Sequence, residues 1–193
     1  MVWSCLVSIL PGMAQTEKLT DYVNPFVGTD GYGNVYPGAQ IPFGGIQISP
    51  DTDSRFYDAA SGYKYNHLTL MGFSLTHLSG TGIPDLGDFL FIPGTGEMKL
   101  EPGTHEDPDQ GYRSRYSHDK EWASPNYYAV ELADYGVKAE MTSGVRSGMF
   151  RFIYPESDNA FIMIDMNHTL WQSCEWSNLR MINDSTITGY KLV

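Results

Sequence analysis

Basic residues are scarce in this chain of 193: 12 Lys and Arg stand against 23 Asp and Glu, for a formal net charge of −11. Binding nucleic acid needs a basic footprint that displaces phosphate counterions, and an anionic membrane surface asks for the same, so the balance excludes both as main partners. The bland consequence of the acidity is solubility. Cysteine is scarcer still, at two. Cys5 lies in the leading apolar segment; once that is removed, Cys174 has nothing to pair with internally. With no base beside it in sequence, Cys174 reads as a small apolar residue rather than a nucleophile. Also missing are an internal repeat, an amphipathic helical period and a membrane-spanning run. No Gly-Lys-Ser or Gly-Lys-Thr follows the glycine-rich loop at 28–33, so a phosphate cradle finds no support.

What is present is a hydrophobic content of 41% with only 18% charged residues, enough to bury the core of one domain and too apolar for disorder. Residues 2–14 are apolar or small, and Gly12-Met13-Ala14 precedes Gln15. This pattern predicts a signal peptide over 1–15, too short to span a bilayer, and hence a secreted, periplasmic or cell-surface protein. It lacks the usual basic start, and Cys5 precedes the apolar run instead of following it as in a lipoprotein. The folded domain is then expected over 16–193.

Glycine and proline crowd residues 28–45 so densely that no helix survives there. Alternation at 46–49 predicts a strand, and Pro50-Asp51-Thr52-Asp53-Ser54 a turn. The run 89–92 predicts a strand buried on both faces and ended by Pro93-Gly94. Residues 101–126 are polar and turn-rich, a long excursion. Segments 128–132 and 137–141 flank Asp134-Tyr135-Gly136 as a hairpin, and 148–154, 160–166 and 186–193 predict further strands. Short strands at regular spacing point to an all-β, antiparallel β-sandwich. The last strand reaches Val193 without an obvious partner.

The chain is organised around residues 71–88, MGFSLTHLSGTGIPDLGD. Glycines there let the backbone approach a ligand, and polar loops on a rigid scaffold are where sites sit. His77 reads equally as a donor to a ligand hydroxyl and as a satisfied structural histidine. Zinc is disfavoured, because His67 and His77 share no helical or metal-ligand spacing. Asp85 and Asp88 are read mainly as capping backbone amides, with ligand or interface contact as the alternative. As a catalytic pair they are a poor fit. In the segment 56–63, Tyr57, Asp58 and Tyr63 are candidates for an aromatic and polar face. For Tyr63 and Tyr65 the alternative is core packing with a satisfied hydroxyl. Asn167-His168-Thr169 and Asn183-Asp184-Ser185 match glycosylation sequons, which carry no meaning in a bacterial source.

Asn24-Pro25-Phe26-Val27-Gly28-Thr29-Asp30-Gly31, Pro37-Gly38-Ala39, Pro42-Phe43-Gly44, Ser61-Gly62-Tyr63-Lys64-Tyr65 and the central stretch together resemble the amino-terminal domain of glycoside hydrolase family 92. The resemblance runs from about Tyr22 onward and is densest before Pro93. It implies a sandwich of the galactose-mutarotase-like supersandwich type, packed in relatives on a large helical toroid. It implies a calcium-dependent, inverting, exo-acting alpha-mannosidase acting on mannose-containing glycans. Inversion needs two carboxyl groups roughly 6.5–9.5 Å apart; by resemblance these and the calcium ligands belong to the helical domain, a partner outside this chain. By resemblance too, Gly33 and Asn34 approach the sugar. Relatives carry a tryptophan just ahead of Ser-Gly-Tyr, where this chain has Tyr57 as the nearest aromatic and Ala59-Ala60 in place of bulk. Two readings follow: one wall of a mannosidase active site at the amino-terminal end of a longer enzyme, or a stand-alone carbohydrate-binding or structural interaction module without catalysis.

Overall fold

A computed structural model describes residues 17–54 and 57–193, and only the backbone of Asp58. The predicted signal segment 1–15 lies outside these described residues. Among them run twelve strands: β1 (Ser49–Asp51), β2 (Thr69–Leu70), β3 (Gly72–Ser74), β4 (Leu90–Thr95), β5 (Ser114–Arg115), β6 (Glu121–Ser124), β7 (Tyr127–Leu132), β8 (Val137–Ser143), β9 (Gly148–Ile153), β10 (Ala160–Asp165), β11 (Trp176–Asn183) and β12 (Thr186–Leu192). Single 3-10 turns at Leu19–Tyr22, Tyr57–Ala59, Pro108–Gln110 and His118–Lys120 are the only helical pieces among the described residues.

Strands β6-β7-β8-β9 form an antiparallel meander. Its central hairpin pairs Tyr128 with Met141, Val130 with Ala139 and Leu132 with Val137, turning at Gly136 with φ 64°. A second antiparallel sheet has the order β1-β3-β4-β10, with β10 lying along β4 from Ala160↔Thr95 to Asp165↔Leu90. The two sheets face each other through aromatic rings. Phe91 lies 5.0 Å from Phe150, and Phe73 lies 6.4 and 6.3 Å from Phe150 and Phe152. Successive strand residues point to opposite faces, so Leu90 and Ile92 turn the other way, onto Met71 and Tyr112. Both faces of β4 are covered, which is why residues 89–92 contain no polar side chain. Burying each such large side chain stabilises the fold by about 1.5–3 kcal/mol.

The sandwich expected from the sequence is present, but four local expectations fail. Pro93-Gly94 does not end β4, because it continues against β10: Pro93 faces Ile162, and a Cβ on Gly94 would stand 2.4 Å from the Phe161 ring. The last strand, β12, has a partner in β11, from Trp176↔Leu192 to Asn183↔Thr186. Residues 50–53 are no surface turn: Pro50 and Asp51 belong to β1, and Asp51, Thr52 and Asp53 are fully buried. The polar segment 101–126 folds inward, burying Tyr112, Arg113, Ser114, Tyr116 and Glu121. In the last two cases polar side chains find partners inside, which spacing alone does not reveal.

Strands β9–β12 expose many apolar side chains, among them Met149, Ile162, Leu179, Met181, Ile187 and Tyr190.

Candidate functional site

The central stretch begins as strand β3 and then leaves the sheet. A bridge between His77 and Leu86 closes the intervening segment into a loop. Within it, Thr81 makes a side-chain turn, its hydroxyl accepting from Ile83 N at 3.0 Å. Gly80 N donates to the Asn34 carbonyl at 2.7 Å, which ties this loop to the 28–34 loop. That second loop is tight: a Cβ on Gly33 would stand 2.2 Å from the Gly28 carbonyl, so only glycine fits. A Cβ on Gly82 would lie 3.0 Å from the Tyr57 hydroxyl and 4.0 Å from Asn34 Nδ2. Asn34, Tyr57 and Gly82, far apart in sequence, therefore meet. Tyr57 is 57% exposed. Asn34 holds a left-handed φ of 49°, and its Oδ1 is buried with no hydrogen-bond partner. A buried acceptor left open next to an exposed phenol is what an incoming hydroxyl would satisfy.

Behind this surface lies a buried chain of hydrogen-bonded side chains. Asp51 Oδ1 faces His77 Nε2 at 2.7 Å and Asp51 Oδ2 faces His168 Nε2 at 2.7 Å, with all three side chains essentially closed to solvent. His77 Nδ1 in turn points at the Gln47 carbonyl at 2.7 Å. The Ser74 hydroxyl also reaches His77 Nε2 at 3.0 Å, so both ring nitrogens are engaged. Burial alone pushes the Asp51 carboxyl up, but His77 and His168 together outweigh it and hold the group well below the usual carboxylate range. Gly62, at φ 83°, packs on this chain so closely that a Cβ would stand 2.1 Å from Asp51 Oδ1.

Another buried carboxylate is Glu121. It accepts from the hydroxyls of Tyr63 at 2.9 Å and Tyr128 at 2.5 Å, and pairs with His118 Nδ1 at 2.6 Å. His118 Nε2 faces the Tyr65 carbonyl at 2.7 Å, and its ring stacks on Tyr65 at 3.9 Å. Burial first, then Tyr116 and Glu121, push the Tyr63 hydroxyl far above the ordinary tyrosine range.

The sequence candidates therefore separate by depth. Gly33, Asn34 and Tyr57 come together at the surface. His77 and Tyr63 lie behind it with their polar atoms already used, so they support the loops rather than reach outward. Asp85 accepts from Leu86 N at 2.8 Å and from Gln172 Nε2 at 2.9 Å, which is the capping role plus a cross-link. The side chain of Asp58 lies outside the described residues. Asp88 departs from the capping expectation: its carboxylate takes the Thr76 hydroxyl at 2.9 Å and Lys191 Nζ at 3.0 Å, not backbone amides. These contacts hold down a stretch in which Leu86, Gly87 and Phe89 all have positive φ. Asp51, His168 and Glu121 were not legible as partners, because their contacts span up to 117 residues.

Among the described residues no three His, Cys, Asp or Glu side chains could hold a metal ion, and both oxygens of Asp51 are taken by imidazoles. The residues present do not fit a calcium ion, and none of the chemistry below is routed through one. No helix among the described residues is long and apolar enough to cross a membrane.

Residues 22–193 match the model of the glycosyl hydrolase family 92 N-terminal domain. The chain is 99% identical to the family GH92 alpha-mannosidase BT3965 of Bacteroides thetaiotaomicron, with a TM-score of 0.90 over 91% of this chain and 24% of that one. It is 27% identical to the inverting family GH92 mannosidase BT2199 of the same organism, with a TM-score of 0.62 over 78% of this chain and 20% of that one. An uncharacterized secreted glycosidase of Arthroderma benhamiae is 30% identical over 139 residues, 71% of this chain and 17% of that protein. The chain thus spans about a quarter or less of the length of these relatives.

Proposed function

The chain belongs to the glycosyl hydrolase family 92 N-terminal domain family, and from that premise we propose that it forms one wall of the active site of a secreted, inverting exo-alpha-mannosidase. The observation that carries this reading is the meeting of Asn34, Tyr57 and Gly82 at the surface, with the Asn34 side-chain oxygen Oδ1 unpartnered. Asn34 Oδ1 accepts a hydroxyl of the terminal mannose, and Tyr57 offers its ring and phenol beside it. Gly33 keeps the backbone low enough for approach. Asp85, fixed by Gln172, borders the same loop. His77 and Tyr63 hold the loops from beneath.

The acid and base that cleave the glycosidic bond, and calcium with its ligands, belong on this reading to the helical portion of the enzyme. That portion also covers apolar side chains exposed on β9–β12, since exposed apolar surface beyond scattered single residues marks an interface. Export follows from the leading segment 1–15 and agrees with the secreted character of one relative.

The test compares two proteins on aryl alpha-mannosides and alpha-linked mannobiose: the 193-residue chain, and the same chain fused to the carboxyl-terminal remainder of the nearly identical Bacteroides alpha-mannosidase. The fusion turns over and the chain alone does not. A fusion that folds yet hydrolyses no alpha-mannoside contradicts the reading and leaves a binding module in its place.

A further inference from the structure

Trp171 has no place in the site described so far. It is a bulky residue with a left-handed φ of 79°, yet it is 62% exposed, so its own burial does not compensate that conformation. The conformation is imposed by its neighbours. Leu170 N donates to the Leu86 carbonyl at 2.8 Å, and Trp171 N to the Ser54 carbonyl at 3.1 Å. The Leu170 side chain is a buried plug against Gly87, where a Cβ would stand 2.6 Å from Leu170 Cγ. Gln172 is fastened to Asp85 at 2.9 Å, and the Thr169 hydroxyl donates to the Gln172 carbonyl. A strained backbone held by this many anchors, with the indole left in solvent, is the pattern of a functional residue rather than a packing one.

The indole borders a hollow of about 440 Å³, within the ordinary size range of small-ligand sites. Asp165, Asn167, His168 and Tyr112 line it with Trp171. Asp165 is oriented from both sides: one oxygen accepts the Tyr112 hydroxyl at 2.9 Å, the other Asn167 N at 2.8 Å. Each carboxylate oxygen keeps a further lone pair. The side-chain amide of Asn167 makes no hydrogen bond to any described residue. An open aromatic face for the C–H side of a ring, an oriented carboxylate and a free amide for its hydroxyls are together the chemistry that recognises a pyranose.

The hollow adjoins the proposed mannose wall without being part of it. Trp171 is bonded to Ser54, three residues before Tyr57, and Gln172 to Asp85. The floor is shared, because Asp51 holds His77 of one site and His168 of the other. We propose that the Trp171 hollow is a second pyranose subsite, which takes a neighbouring sugar of an oligosaccharide whose terminal mannose meets Asn34 and Tyr57. Trp171 supplies the platform, and Asp165 and Asn167 the hydroxyl partners. The proposal rests on the glycan reading above but assigns different residues.

The experiment uses the fused enzyme with Trp171→Ala and Trp171→Phe, on an aryl alpha-mannoside, which fills only the terminal position, and on an alpha-linked mannotriose. Trp171→Ala raises KM for the trisaccharide about tenfold, leaves kcat/KM for the aryl substrate within about twofold, and leaves the melting temperature unchanged. Trp171→Phe, which keeps a ring, recovers most of the loss. Equal kinetics on both substrates, an equal loss on both, or a loss that tracks the melting temperature each overturn the proposal. If the fused enzyme acts on no alpha-mannoside, the function reading falls, and calorimetric titration of the chain with mannotriose decides the subsite separately. Binding that disappears in Trp171→Ala upholds it; binding that persists, or none at all, overturns it.

Discussion

His77 Nε2 lies 2.7 Å from Asp51 Oδ1 with neither side chain exposed to solvent. This pair ties the central loop to strand β1, and through His168 the same carboxylate reaches the segment after β10. Removing one member of a buried, hydrogen-bonded pair leaves the other charge uncompensated. Asp51→Ala is expected to cost about 3–5 kcal/mol by that principle, and His77→Ala less, because His168 still pairs with the carboxylate. Thermal or urea unfolding checks this. A His77→Ala protein with unchanged stability but weakened sugar contact places the ring outward and reverses the depth assignment made here.

The same carboxylate sets an acid limit. The folded-state pKa of Asp51 is depressed, so its contribution is complete above the unfolded value near 3.9. It is lost as pH falls from there towards the folded value. Unfolding free energy measured from pH 6 downward should therefore drop below about pH 4 in the parent chain. Asp51→Asn should be less stable at neutral pH and show a shallower acid slope. Parallel slopes for the two proteins would remove Asp51 from the account.

Buried tyrosines set the opposite limit. The hydroxyls of Tyr63, Tyr112 and Tyr128 are pushed far up, in each case by burial first and then by neighbouring groups that include Glu121 or Asp165. A raised folded pKa means that their contribution is complete below about pH 10 and is lost as pH rises beyond it. Phenolate absorbance from these buried rings should thus appear only together with loss of the β circular dichroism signal. A single gradual titration with the fold intact would contradict their burial.

Much of the sandwich was legible because the meander is local. Residues 128–132 and 137–141 alternate around a Gly-containing turn, and their register follows from that turn. The sheet β1-β3-β4-β10 was less legible, because β10 joins β4 across some 70 residues and β1 carries Pro50 and Asp51, residues that usually mark turns. For the site, the loops holding Gly33, Asn34 and His77 were evident from glycine density, whereas their depth was not. His77 reads the same in sequence whether it meets a sugar or Asp51; only the fold puts Asp51 beside it. Trp171 carried no signal at all, since its conformation comes from backbone bonds to Ser54 and from Leu170 held by Leu86.

Two glycines separate the surface from its support. Gly62→Ala puts a methyl group into Asp51 Oδ1 at a left-handed φ of 83°, and is expected to destabilise by about 3 kcal/mol or more. Gly82→Ala meets only the far end of the exposed Tyr57 side chain, at 3.0 Å. Its stability should stay within about 0.5 kcal/mol, while kcat/KM of the fused enzyme falls about tenfold, equivalent to ~1.4 kcal/mol. Melting curves and steady-state kinetics on the two variants check both halves. Equal destabilisation by the two would sink the distinction.

The central claim is that Asn34 and Tyr57 touch the terminal mannose. Its most direct test is kcat/KM on an aryl alpha-mannoside for the fused enzyme carrying Asn34→Ala, Tyr57→Phe and both together, each with its melting temperature. The account predicts losses of about tenfold for Asn34→Ala and less for Tyr57→Phe, with a double loss smaller than the product if they share one ligand hydroxyl. Melting temperatures should stay essentially unchanged. Parent-like kcat/KM in the double variant, with the fold intact, would show that the sugar lies elsewhere and contradict the account.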